Sequence, residues 1–269
     1  MASEPVFNSA DAIKSPSARP ARLATAVAEE LVALIVSGQY AEGTLLPTEP
    51  VLAERFGVSR VVVREALRFL EQKGLLRVRH GQGSTVLPSD EWDLLDNTVL
   101  AAAVLHDESH TILEEVVAIR IILESQLAGE AAIRCDERAL AEMKDVLDRM
   151  NPDVPEDFPA LDQLFHKLVV RASGNLLGAA ILRDVMREAA MIQSYIGLVD
   201  RAQLELSVKG HQAIFDAISE HDARAAVAAM REHIYRSWIL RSEFEPDEPS
   251  APFVAIADEV TRATPNAAQ

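Results

Sequence analysis

Two helix-period runs meet across only three residues, Gly57-Val58-Ser59. So short a link forces consecutive helices into a tight turn, and Ser59 is a good N-cap for the second of them. Upstream, Thr48 reads as the N-cap of a short helix with Pro50 in its first turn, where a missing N–H costs little; Leu52, Ala53 and Phe56 supply its buried side. Before it, Leu23, Val27, Leu31, Leu34 and Ile35 repeat with helical period as far as Gly38. The helix that Ser59 opens runs to about Lys73 and stops at Gly74. Residues 75–79 and 84–87 are β-type runs joined by His80-Gly81-Gln82-Gly83, a hairpin with a glycine-rich tip. Three helices and a hairpin in this order predict a winged helix-turn-helix over 21–88.

The helix after Ser59 has two faces. Val63, Ala66, Leu67 and Leu70 form a packing stripe, while Arg60, Arg64 and Arg68 recur every four residues as a basic ridge beside it. A ridge of this kind suits the major groove, where arginine binds guanine O6 and N7 with two hydrogen bonds. The helix N-terminus and the Ser59 hydroxyl suit phosphate. His80 and Gly81, at the wing tip, can approach the DNA backbone or minor groove. The competing reading of the arginines is a solvated face paired with local glutamates such as Glu65.

Charge distribution bears on that choice. The 269 residues carry 26 Lys+Arg against 42 Asp+Glu, a net charge of −16 that argues against a general nucleic-acid coat. Between Arg55 and Pro88, however, seven basic residues face only Glu65 and Glu71. Salt screens exposed charges beyond about 8–10 Å, so a local positive face can still engage DNA. One cysteine, Cys135, leaves no disulfide framework and no cysteine-based zinc finger, and no uncharged apolar run is long enough to span a membrane. The first twenty residues lack the apolar core of a signal peptide. With 49% apolar and 5% aromatic residues, the expectation is a mainly α, cytoplasmic protein.

Residues 1–20 read as a disordered leader, 89–108 as a linker with a short helix through Trp92, Leu94-Leu95 and Val99-Leu100, and 244–269 as a mobile tail. From 109 to 243 the pattern is helix after helix, six in all. Breaks fall near Cys135-Asp136, 151–155, Ser173-Gly174-Asn175, Asp200 and His221-Asp222. Asn175 is read first as a helix N-cap. Within this bundle Asp162 and His166 stand four apart on one face, and His211 and His233 interrupt otherwise apolar faces. Helical bundles build metal sites from such convergent side chains, and three imidazoles with a carboxylate suit Zn²⁺, Ni²⁺ or another first-row ion. Taken one at a time, each histidine fits a core or capping role better. Arg120 lies in Val116-Val117-Ala118-Ile119-Arg120-Ile121-Ile122-Leu123, so it needs an anionic partner, either Glu124 one turn on or a ligand carboxylate.

Two resemblances sharpen these readings. Leu45-Leu46-Pro47-Thr48-Glu49, Leu52-Ala53, Gly57-Val58-Ser59-Arg60, Val63-Arg64-Glu65-Ala66-Leu67, Leu70 and Gly74-Leu75 resemble the GntR-type bacterial transcription regulators. The resemblance implies operator contacts at Ser59, Arg60, Arg64, His80 and Gly81. The family often has Arg, touching phosphate, where this chain has Pro50, which puts one backbone contact in doubt. Arg120-x-x-x-Glu124, Asp162-x-x-Phe165-His166, Ser173-Gly174-Asn175, His211 and Ala225…Met230…His233 resemble the FCD effector-binding domain of the FadR branch. That resemblance implies a metal held by Asp162, His166, His211 and His233, with Arg120 in the effector pocket. Glu91-Trp92-Asp93-Leu94-Leu95-Asp96 is similar to the linker of sugar-acid-responsive, galactonate-type members.

Together these readings predict a repressor rather than an enzyme. They predict a homodimer that binds operator DNA and is released, through the Trp92 linker, by a small carboxylate at a metal site in the helical domain. A metal-dependent hydrolase or isomerase using the His₃Asp set is the alternative, since such a site can activate water.

Overall fold

The computed structural model describes residues 18–79, 81–106, 111–193 and 200–241. It divides into two compact units, Met1–His106 and Asp107–Gln269. Residues 1–17 of the expected leader, His80, the end of the linker and the whole of the expected tail lie outside the described residues, while residues 18–20 of that leader are helical.

The first unit runs α1 (Ala18–Val36), α2 (Glu49–Phe56), α3 (Arg60–Gln72), β1 (Leu76–Arg79), β2 (Gly83–Val86), a 3-10 turn at Ser89–Glu91, and α4 (Asn97–Leu105). Helix α1 begins before the apolar period does. Ala and Arg are strong helix formers, and Pro20 is tolerated in a first turn. Thr48 takes the N-cap position of α2 as expected, yet its side chain makes no capping bond. At the tight turn Gly57 adopts φ 64°, and the Val58 N–H reaches back to the Ala53 carbonyl at 3.0 Å. The left-handed backbone there favours glycine. Ser59 then caps α3, accepting from the Val62 N–H at 3.4 Å. The α3 stripe of Val63, Ala66, Leu67 and Leu70 is buried against Leu31, Val32 and Ile35 of α1 and Leu52 of α2. The wing pairs antiparallel, Leu76 with Val86 through Arg79 with Gly83, and Leu45 bridges to Thr85.

A second close contact fixes the segment after the wing. Gly74, at φ 72°, lies so near the Glu91 carbonyl that a Cβ would fall 2.1 Å from its oxygen. Beside it the Asp93 N–H donates to the Lys73 carbonyl, and Lys73 Nζ reaches Asp93 and Asp96 at 3.1 and 3.0 Å. Asp96 in turn caps α4 through the Thr98 and Val99 N–H groups. The short helix expected in the linker forms only as α4, with Val99 and Leu100; Trp92, Leu94 and Leu95 precede it, and the Trp92 indole donates to the Leu87 carbonyl.

The second unit contains α5 (Thr111–Arg134), α6 (Glu137–Arg149), α7 (Phe158–Ala172), α8 (Leu176–Gln193), α9 (Arg201–Ser219) and α10 (Ala223–Arg241). Helix α5 packs against α7, α8, α9 and α10, which explains apolar residues on several of its faces. The breaks follow local chemistry. Asp136, Asn175, Asp200 and Asp222 each accept a backbone N–H at a helix start, and Asp200 with Gln203 closes a capping box. Ile121, Met143, Phe158, Phe165, Ile214, Ile218 and Met230 form the core. No described helix is long and apolar enough to cross a membrane.

Gly74→Ala adds both a backbone clash and a disfavoured φ, so it should lower unfolding free energy by at least about 1–3 kcal/mol. Chemical denaturation measures this; an unchanged midpoint would show that the 89–96 segment does not need its close approach to α3.

Candidate functional site

Three helices deliver one buried cluster. Asp162 and His166 project one turn apart from α7, His211 from the buried stripe of α9, and His233 from α10. Their exposures are 5, 2, 0 and 5 %, and one donor atom from each lies within 4.8 Å of all the others. His166 Nε2 is 3.2 Å from His233 Nε2 and 3.4 Å from His211 Nε2, which is itself 3.2 Å from an Asp162 carboxylate oxygen. With metal–ligand distances of about 2.0–2.1 Å, donors in a tetrahedron stand about 3.3–3.4 Å apart. These three separations are close to the edges of a first-row coordination shell, and the whole donor set lies within 4.8 Å. Three imidazole nitrogens and one carboxylate oxygen form a donor set suited to zinc or a neighbouring ion.

The surroundings hold these donors in the ligating state. Phe165, fully buried, stands edge-on to His211 with centroids 4.8 Å apart and sets an apolar ring against the cluster. Burial, reinforced by the neighbouring His211 and His166, pushes His233 well below its ordinary pKa, favouring the neutral form that binds metal. Burial alone would raise the Asp162 pKa; the hydrogen bond and charge of His211 outweigh it and keep the carboxylate well below its usual range. Gly210 makes room for the last ligand, since a Cβ there would sit 2.4 Å from His233 Nδ1.

Glu124 is the residue that sequence reasoning saw only in part. It was named there as one possible partner of Arg120, and Arg120 Nε does donate to it at 2.9 Å. Its other oxygen accepts from His166 Nδ1 at 2.6 Å. This contact fixes the imidazole tautomer and aims Nε2 at the cluster, as a carboxylate does behind many metal-bound histidines. Burial raises the Glu124 pKa, but Arg120 and His166 prevail and hold it at about 2. Asn175 has its capping role: its Oδ1 accepts from the Gly178 N–H, and its amide donates to Glu130.

In the first unit Arg60, Arg64 and Arg68 are exposed along α3, as is Gly81 at the wing tip. Arg68 pairs with Glu65, the local glutamate of the competing reading. Arg64 instead reaches across to α2, placing Nε and Nη2 at 3.3 and 2.9 Å from the two Glu49 oxygens. Its hydrogen bond lowers the Glu49 pKa. The pair spans two helices, and no local pattern signals it. His80 lies outside the described residues.

Comparison with known proteins agrees with this division. Residues 23–86 match the family model described as bacterial regulatory proteins, gntR family, and residues 115–236 match that of the FCD domain. The chain is 31% identical over 199 residues to the galactonate operon transcriptional repressor of Escherichia coli K12, covering 72% of this chain and 86% of that protein. It is also 31% identical over 209 residues to the Uxu operon transcriptional regulator of the same organism, covering 75% and 79%. Among solved structures, Lar, which controls expression of the Listeria monocytogenes agr system, shares the fold with a TM-score of 0.50 at 16% identity, covering 83% of this chain and 98% of that one.

Glu124→Gln keeps the shape but weakens the hold on His166, so metal affinity should fall about 10–100-fold. Competition against a chromophoric chelator reads this directly, and wild-type affinity in the variant would remove Glu124 from the site.

Proposed function

Because the chain belongs to the gntR family of bacterial regulatory proteins and carries an FCD domain, we propose that this DNA-binding transcription regulator is a repressor released by a small carboxylate. The carboxylate is bound at a metal site in the helical unit. The observation that carries the proposal is the buried convergence of Asp162, His166, His211 and His233. These four residues hold the ion, with zinc the leading choice and nickel or another first-row metal also compatible with the donors. When bound, the ion supplies a Lewis-acidic docking point for an anion. Arg120 supplies the second: its Nε is taken by Glu124, while Nη1 and Nη2 make no hydrogen bond or ion pair among the described residues. One relative is named for a galactonate operon, which supports a hydroxylated carboxylate as the ligand class.

The alternative of a metal-dependent hydrolase or isomerase gives way, because both matched family models and the named relatives are those of transcription regulators. The proposed operator contacts are Ser59 at the α3 N-terminus, Arg60 and Arg64 on the exposed ridge, and His80 and Gly81 on the wing. The proposed layout is a DNA-binding segment over 21–88, a linker over 89–108 and an effector segment over 109–243, with leader and tail outside them. The proposed assembly is a cytoplasmic homodimer that reads a pseudo-palindrome. By linkage, an effector that weakens operator binding must itself bind the operator complex more weakly.

Fluorescence anisotropy with fragments of the chain's own upstream region, with and without metal and sugar acids, tests the whole reading. Metal-dependent release of a specific fragment is expected; indifference to every fragment would defeat it. Arg64→Ala should cost about 1–3 kcal/mol on the operator and much less on random DNA if it reads a base. Equal losses would assign it to phosphate. His211→Ala should reduce bound metal and effector response more than effector-free operator affinity, and an unchanged metal stoichiometry by elemental analysis would contradict the ligand set.

A further inference from the structure

Glu49 is out of place beside a surface that grips phosphate. It is the first residue of α2, with its side chain 34% exposed, and it stands against the basic ridge of α3. Both of its oxygens are taken by Arg64, and the charge of Arg60 also acts on it. Arg68, by contrast, pairs with Glu65 of its own helix. A carboxylate at the position of Glu49 repels the DNA backbone. The pair is exposed, so it gives little stability in return. Its effect on what Arg64 can bind is a better account of it.

The geometry of the pair sets that effect. An arginine side chain carries five N–H donors in a rigid plane. Glu49 takes two of them along one edge, from Nε at 3.3 Å and from Nη2 at 2.9 Å. The remaining donors lie on Nη1 and on the outer side of Nη2, and they include the fork at the end of the guanidinium. That fork matches O6 and N7 on the edge of guanine, and it matches a phosphate as well. Charge separates the two. Arg64 and Glu49 together are neutral. A neutral base edge needs only the hydrogen bonds, which the pair keeps. A phosphate depends on unlike charge and on counterion release, which the pair forfeits, and it meets the Glu49 carboxylate at close range.

We propose that Glu49 is a specificity-determining residue of operator readout, which commits Arg64 to a guanine edge and denies it to phosphate. The proposal rests on the reading above, in which Arg64 contacts a base. Glu49 then acts against the wrong partner more than for the right one. It lowers affinity for random sequence further than affinity for the operator, and the difference is specificity.

Fluorescence anisotropy of the full, effector-free chain tests this on two duplexes of equal length. One is the tightest-binding fragment of the chain's own upstream region, and the other is its scrambled sequence. Glu49→Gln keeps the side-chain shape and one acceptor but removes the charge. On scrambled DNA in 0.1 M salt it should raise affinity about tenfold and steepen the salt dependence by about one counterion. The operator fragment should gain much less, so the ratio of the two affinities falls several-fold. In an Arg64→Ala background the same substitution should leave that ratio unchanged, since the carboxylate then has no guanidinium to commit. Replacing guanines singly by 7-deazaguanine, which lacks the N7 acceptor, should find a half-site position that costs the wild type about tenfold and Glu49→Gln less. A ratio that Glu49→Gln leaves unchanged or raises, or one that falls equally with and without Arg64, would overturn the proposal while leaving Arg64 as a base reader. If Arg64→Ala weakens both duplexes equally, the base reading itself fails and this inference fails with it.

Discussion

The second unit depends on how a dry helical core accommodates Asp162. A buried carboxylate is costly unless an opposite charge lies beside it. Glu124 has such a partner in Arg120, at 2.9 Å. Among the described residues Asp162 is paired with imidazoles, of which His211 is 3.2 Å away, and His233 is pressed toward its neutral form by burial and by its fellow histidines. Neutral imidazoles cannot balance a carboxylate. Either one ring keeps a proton at the expense of its neighbours, or a cation stands among all four donors. The second arrangement satisfies every group at once, and three of the donor separations are close to the edges of a coordination shell.

The head obeys a different constraint. Its helices are short, so their stability comes from one shared apolar interior, and the Arg ridge on α3 is free to face outward because Val63, Ala66, Leu67 and Leu70 all turn inward. Pairing with Glu49 pre-extends Arg64 across the α2–α3 turn. That pair is exposed, and salt screening makes its own contribution to stability small. Its effect is on the orientation of the guanidinium, and hence on what the side chain can present to a base edge.

How much of this could be read in the sequence follows from the range of each interaction. Gly57, Ser59 and the four-residue spacing of Arg60, Arg64 and Arg68 are local signals, and the helix-turn-helix with its hairpin was legible from them. Four of the six helices of the second unit were equally legible, because Asp136, Asn175, Asp200 and Asp222 mark the starts of α6, α8, α9 and α10 within a single turn. Asp162 and His166 were visible as a pair, but only resemblance to a family joined them to His211 and His233 on other helices. Glu124 with His166, Glu49 with Arg64 and Gly210 with His233 depend on helix packing, which leaves no periodic trace along the chain. The Thr48 cap shows the opposite error. The residue type and position were right, and the side chain still makes no capping bond.

The most direct test of the account is the metal itself. Elemental analysis of protein purified without added metal or chelator, followed by X-ray absorption at the edge of whatever ion is found, should give one first-row ion per chain, with a first shell of three imidazole nitrogens and a carboxylate oxygen. Protein that contains no stoichiometric ion, takes none up on dialysis against zinc or nickel, and shows by nitrogen-15 NMR an imidazolium paired with Asp162 would contradict it.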